Sequence, residues 1–177
     1  MKLERPAERF DEIYEIYEAA FPDDERRTYD RQKEILQEGR CSFRVIERDG
    51  KILAFLEYWN LNSCYFIEYV ATVPGMRNKG YGKRLIEECL EEAREEGKPV
   101  FLEIEPVTEK DPMTGRRSRF YKRIGFCQNA FPYQQPPLKE GDNFKDLLIM
   151  SYGIQLEEKQ FRGYKQEIYS KVYGVEE

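Results

Sequence analysis

The sequence predicts a mixed α/β domain, with a sheet that combines antiparallel and parallel strand pairs and is flanked by helices. Three observations lead there. Three apolar segments follow one another through tight turns between Ser42 and Val73, as successive antiparallel strands do. A strand, an amphipathic helix and another strand then run from Cys64 to Ile104, and a crossover of that kind sets its two strands parallel. Between that strand and helix lies Arg77-Asn78-Lys79-Gly80-Tyr81-Gly82, a basic loop with two glycines that opens the helix.

Taken in order, Glu8 to Ala20 places Phe10, Ile13, Tyr14, Ile16, Tyr17 and Ala20 at helical spacing and breaks at Phe21-Pro22. A second helix is expected from Thr28 to Gln37, with Gly39 just past its end. Ser42–Glu47 and Lys51–Asn60 flank Asp49-Gly50, a hairpin signal, and a turn at 60–63 leads into the central strand, Cys64 to Val73. The helix from Gly80 to Glu96 carries Leu85, Ile86, Cys89, Leu90 and Ala93 on one face and stops at Gly97-Lys98-Pro99. Val100–Ile104 is a strand, 106–115 a polar loop, and Arg116–Ile124 a short helix closed by Gly125. Two strands are expected at Phe126–Tyr133 and Asp146–Tyr152. The tail from Ile154 reads as an amphipathic helix that covers core surface, with Phe161, Tyr164, Ile168, Tyr169 and Val172 inward.

A strand, a glycine loop and a helix N-terminus together make an anion site. First-turn N–H groups lack intrahelical partners, the helix dipole is positive there, and glycine allows close approach. Arg77, Lys79 and Lys83 add positive charge, so the ligand expected is a phosphate, and a pyrophosphate fits best. The Walker pattern is absent, because Gly80 is followed by Tyr81, and the dinucleotide fingerprint fails at Leu85.

What fits Arg77 to Gly82 is [R/Q]-x-x-G-x-[G/A] after a strand that ends in Val73-Pro74. This resembles the acetyl-CoA-binding motif of the GNAT superfamily of N-acyltransferases. A second segment, Phe120-Tyr121-Lys122-Arg123-Ile124-Gly125-Phe126, resembles the family's FYxxxGF signature, and the element order over about residues 8–152 matches the whole fold. The resemblance implies one GNAT domain over residues 1–177, with 153–177 as a C-terminal helical extension. It also implies a central sheet whose parallel strands splay, with the pantetheine arm of acetyl-CoA bonded to the backbone of Val70, Ala71 and Thr72. The pyrophosphate would sit on Arg77, Asn78, Lys79, Gly80, Tyr81, Gly82 and Lys83. Thr72 departs from the family's usual valine, and Gly75-Met76 from its usual turn. Tyr121 matches the family tyrosine that protonates the leaving thiolate.

The base has to be a carboxylate, a lysine, a tyrosinate or a water, since the chain has no histidine. Glu68 lies in the apolar central strand, and Glu103 and Glu105 share one face of the next. Carboxylates in such strands are costly unless paired or functional. Glu68 or Glu103 is therefore expected to deprotonate the amine, with Glu105 helping to attract it; structural pairing with Arg116, Arg117 or Arg119 is the rival reading. Tyr133 and Tyr29 are candidates for lining the acceptor side.

The 177 residues suit one domain, and a net charge of −5 argues against a nucleic-acid or anionic-membrane binder. Cys41, Cys64, Cys89 and Cys127 form no CxxC pair and read as reduced thiols; no metal site is expected, and the location expected is cytoplasmic. The function expected is acetyl-CoA-dependent N-acetylation of a primary amine on a small cationic molecule, by direct ternary-complex transfer. A non-catalytic acyl-CoA-binding module on the same fold is the alternative. Oligomeric state is not read from the chain, a homodimer being one option.

Overall fold

Asp49 and Gly50 both take positive φ, 52° and 76°, which is the two-residue turn that matches the twist of the flanking strands. In the computed structural model, which describes residues 1–176, this turn joins β2 (Ser42–Arg48) to β3 (Lys51–Asn60) in an antiparallel ladder shifted at Ile46/Glu47. A short strand that the sequence reading overlooked, β1 (Lys2–Leu3), pairs with the other edge of β2. Two residues are too few to show a period.

The chain divides into two compact units. The first comprises Met1–Asn60 and Ile67–Glu92. It contains the β1–β2–β3–β4 run, where β4 is Tyr65–Thr72, together with α1 (Phe10–Ala20), α2 (Tyr29–Gln37) and the main part of α3 (Tyr81–Glu95). Phe10, Ile13, Ile16 and Tyr17 of α1 and Ile35 and Leu36 of α2 are buried, as their helical spacing predicts. Thr28 caps α2, its hydroxyl accepting from the Arg31 N–H at 3.2 Å. Arg9 fastens the start of α1 to the hairpin, with bonds to Glu47 and to the Gly50 carbonyl.

The second unit comprises Leu61–Phe66 and the chain from Ala93 onward. Here Tyr65, the first residue of β4, donates its N–H to the Pro99 carbonyl at 2.9 Å, just before β5 (Val100–Ile104). Two strand starts side by side are what parallel neighbours give. β8 (Lys145–Tyr152) runs antiparallel to β5, to β6 (Phe126–Gln128) and to β7 (Tyr133–Gln135).

Two boundaries differ from expectation. α4 spans Pro112–Ile124 and starts four residues before Arg116, because Asp111 caps it and Pro112 at its first position needs no N–H partner. The strand expected at Phe126–Tyr133 is two short ones. Buried Asn129 interrupts it: its side-chain amide donates to the Ile149 carbonyl and to Ser151 Oγ, both at 3.1 Å, and its Oδ1 accepts from the Leu156 N–H.

The tail forms α5 (Glu158–Ile168) and then a π-helical turn, Tyr169–Tyr173. Phe161 packs on Phe101 and Phe131, and Ile168, Tyr169 and Val172 are buried, so the tail covers core as expected. Glu167 anchors it by accepting from the N–H groups of Asn62 and Ser63 and from the Ser63 hydroxyl. No helix among the described residues is long and apolar enough to cross a membrane.

Asn129→Ala should lower unfolding free energy by about 1–3 kcal/mol, since it removes three side-chain hydrogen bonds at a buried position and leaves the Leu156 N–H without its acceptor. A denaturant midpoint checks this; an unchanged midpoint contradicts it.

Candidate active site

The first unit holds the basic loop. Val73 turns the chain through a Met76 N–H bond to its own carbonyl, and Gly75, Asn78 and Gly80 take positive φ at 87°, 63° and 78°. Asn78 is one of only two non-glycine residues to do so among the described residues, which the sequence did not signal. The α3 ladder closes first at Arg84, whose N–H reaches the Gly80 carbonyl at 3.1 Å. The N–H groups of Gly80, Tyr81, Gly82 and Lys83 donate to nothing among the described residues. A Cβ at Gly80 would meet nothing within 4 Å, so the approach to these donors is open. Arg77 and Lys79 are exposed and form no ion pair among the described residues, while Lys83 lies 3.8 Å from Glu87 and Tyr81 accepts from Arg48. Open donors flanked by free cations fit a pyrophosphate.

Along β4, Glu68, Val70 and Thr72 are partly exposed and Ala71 is buried. The Glu68 side chain is only 3% exposed, so what shows at that residue is its main chain. That carboxylate is held at both oxygens by Arg27, itself buried. The rival reading named Arg116, Arg117 or Arg119 as structural partners; for Glu68 the partner is Arg27, on the segment between α1 and α2. Around the pair, the Tyr17 hydroxyl accepts from the Arg27 N–H and donates to Tyr69, and Tyr69 donates to the Glu25 carbonyl.

Glu57 was missed. It sits inside β3, fully buried, with both oxygens accepting from Gln32 Nε2. Burial raises its carboxyl to about 8, and the charge of Glu68 adds to the rise while Arg27 and the Gln32 bond oppose it. A lone Glu among the apolar residues of KILAFLEYWN was the available signal. Tyr29 stands at the start of α2, edge-on to Phe10 and Tyr14, its hydroxyl on Asp11 at 2.7 Å.

The second unit holds Tyr121, Glu103, Glu105 and Tyr133. Tyr121 lies near the end of α4, half-buried, its ring edge-on to Phe120 and Phe126. Its hydroxyl makes no hydrogen bond among the described residues. Burial pushes the phenol up to about 12, with Arg117 pulling the other way. The glycine of FYxxxGF has a physical reason here: Gly125 caps α4 at φ 122°, and a Cβ there would lie 2.9 Å from the Tyr152 ring.

Glu103 and Tyr133 are brought together. Glu103 Oε2 accepts from Tyr133 at 2.5 Å, and Oε1 accepts from Gln135 at 3.1 Å and from Tyr173. Sequence reasoning missed Tyr173, because tail aromatics look alike as core residues. Glu105 does not join this group; it lies 3.6 Å from Arg117 and 3.8 Å from Lys145.

Glu68→Gln should cost about 3–5 kcal/mol of stability by leaving Arg27 buried without its counter-charge. Glu57 binds a proton when folded and loses it above about pH 4.5 when unfolded, so it lowers stability progressively from about pH 4.5 to about pH 8 and no further above. Glu57→Gln should remove that slope in chemical denaturation; an unchanged slope contradicts the protonated state.

The model of the acetyltransferase (GNAT) family matches residues 10–126. YjbC of Bacillus subtilis (strain 168), designated an acetyltransferase, is 29% identical over 155 residues, covering 86% of this chain and 77% of its own. A structure from Bacteroides thetaiotaomicron, designated an acetyltransferase from the GNAT family, superposes with a TM-score of 0.82 at 34% identity, over 96% of this chain and 94% of the other. YncA of Salmonella typhimurium, solved with its cofactor acetyl-CoA, shares the fold with a TM-score of 0.58 at 22% identity, over 86% and 91% of the two chains.

Proposed function

The chain belongs to the acetyltransferase (GNAT) family, and from that premise we propose that it is an N-acetyltransferase, taking acetyl-CoA as co-substrate and transferring the acetyl group to a primary amine on a small cationic molecule. The observation that carries this reading is the set of unpartnered N–H donors from Gly80 to Lys83 beside free Arg77 and Lys79. They would hold the pyrophosphate, and the backbone of Val70, Ala71 and Thr72 would bond the pantetheine arm.

The chemistry needs a base for the amine and an acid for the thiolate. Glu103 is the better base of the two strand glutamates, because Arg27 already takes both oxygens of Glu68. The amine nitrogen attacks the thioester carbon and gives its proton to Glu103. As the C–S bond breaks, Tyr121 gives its proton to the sulfur, and both side chains reset by exchange with water. The Tyr121 hydroxyl has no competing acceptor among the described residues and stays protonated up to about pH 12. Direct transfer suits the cysteines: Cys41, Cys64 and Cys89 are buried, and burial raises all three thiols, Cys64 and Cys89 to about 12. Four free thiols also suit a reducing compartment, and we place the protein in the cytoplasm. A cationic acceptor suits the net charge of −5 and the strand glutamates. Tyr29 and Glu105, one exposed and one half-buried, are assigned to the acceptor rather than to the chemistry.

Thiol release from acetyl-CoA should appear with at least one member of a panel of amines, polyamines, amino acids and lysine peptides. Tyr121→Phe should lower kcat by about 10²–10⁴-fold without moving the melting temperature, and the pH profile should show no alkaline fall from Tyr121 below about pH 11. Silence across the panel with a thermal shift on adding acetyl-CoA would favour the non-catalytic binding module. Silence without a shift would overturn the co-substrate.

A further inference from the structure

Resting on the reading of Glu103 as the base, we propose that Tyr173, in the C-terminal extension, is a positioning residue for that carboxylate. With Tyr133 and Gln135 it fixes the Glu103 carboxylate and favours its charged form. The tail beyond the matched residues 10–126 is then part of the catalytic apparatus as well as a cover for the core.

The arrangement follows from two periodicities. On β7, residues two apart share a face, so Tyr133 and Gln135 both reach Glu103 while Gln134 turns away to Asp146 at 2.8 Å. In the π-helical turn, Tyr169 and Tyr173 are a turn apart and come to the same side. Tyr169 donates to the Gln134 carbonyl, and Tyr173 donates to Glu103. π-helical segments are rare and gather at functional sites. Here one ends at Gly174 in the left-handed conformation, φ 67°, which closes the tail just after the residue that matters.

Gln135 Nε2 gives one hydrogen to Glu103 and one to the Tyr173 oxygen at 3.2 Å, which leaves the Tyr173 proton for Glu103. Phe66 and Tyr169 set the Tyr173 ring from two sides, edge-on at 6.4 Å and 6.5 Å. Rings that served only as packing would not need both hydroxyls on one carboxylate. The residue opposite Glu103 on β8 is apolar Ile149, and Glu105 on the same face has Arg117 of α4 and Lys145 of β8. The phenols of Tyr133 and Tyr173 are both bonded to Glu103.

Hydrogen bonds to a carboxylate stabilise its charged form, so removing one should make Glu103 titrate at higher pH. The experiment compares full-length wild type with Tyr173→Phe, Tyr133→Phe, Glu103→Gln, and Tyr164→Phe as a tail control whose ring rests on Phe101. Two readouts are taken: the acid limb of the kcat/KM pH profile, and the ¹³C carboxyl titration of Glu103, assigned by its loss in Glu103→Gln. Tyr173→Phe should move both upward by about one pH unit, the worth of a hydrogen bond to a charged group, with Tyr133→Phe in the same direction and Tyr164→Phe unmoved. A Glu103 titration identical in wild type and Tyr173→Phe overturns the role of Tyr173 while leaving the base reading standing. Wild-type kcat/KM in Glu103→Gln overturns the base reading, whatever the titration shows.

Discussion

A carboxylate placed inside an apolar strand has to be neutralised, paired or hydrogen-bonded, since burying its bare charge costs more than any neighbour can supply by packing. Much of this chain is arranged around three such groups, and each is resolved differently. Glu57 on β3 keeps its proton and leans on Gln32. Glu68 on β4 takes Arg27, whose backbone is in turn tied through Tyr17 and Tyr69 to the segment joining α1 and α2. Glu103 on β5 accepts from hydroxyl and amide donors on β7 and the tail.

Those three solutions have different chemical consequences. A carboxylate locked to a guanidinium at both oxygens is a poor proton acceptor, because protonation would strand the cation. A carboxylic acid already holding its proton cannot accept another. A neutral hydroxyl or amide donor, unlike a guanidinium, is not left as a stranded charge when the carboxylate it holds picks up a proton. Burial alone would rank Glu57 and Glu68 as the more perturbed sites, and perturbation often marks function. Partner type weighs against Glu68, whose two oxygens both accept from Arg27, and this is why the proposed base is Glu103. The anion loop follows the complementary rule: its donors are left open, with Gly80 keeping side chains out of the way and Arg77 and Lys79 free of partners among the described residues.

How legible all this was depended on the range of the interaction. Hairpin turn, helix faces and the Gly125 stop are local, and residue type at fixed spacing announces them. The loop at 77–82 and the segment at 120–126 are local too, so their motifs could be read and their family resemblance tested. The interruption at Asn129 was hidden because a polar residue in a strand pattern does not say whether its side chain will replace ladder bonds. The start of α4 was hidden because Pro112 reads equally well as loop or as first helical residue. The partners of the glutamates were the least legible. Arg27 lies 41 residues from Glu68 and Tyr173 lies 70 from Glu103, and no spacing rule spans such distances.

That last separation changes how the tail is to be understood. An amphipathic helix after the last core strand satisfies its own hydrophobic face by docking, and Phe161, Ile168 and Val172 do this. Docking by apolar contacts alone leaves rotation and register loosely set. The Glu167 carboxylate on the N–H groups of Asn62 and Ser63, and the two tail hydroxyls on Gln134 and Glu103, remove that freedom with directional bonds. A helix pinned in this way transmits its position to whatever its last turn touches, and here the last turn touches Glu103. The tail's apolar face and the Tyr173 hydroxyl therefore do one job between them: the first brings the last turn to β5, and the second aims the carboxylate.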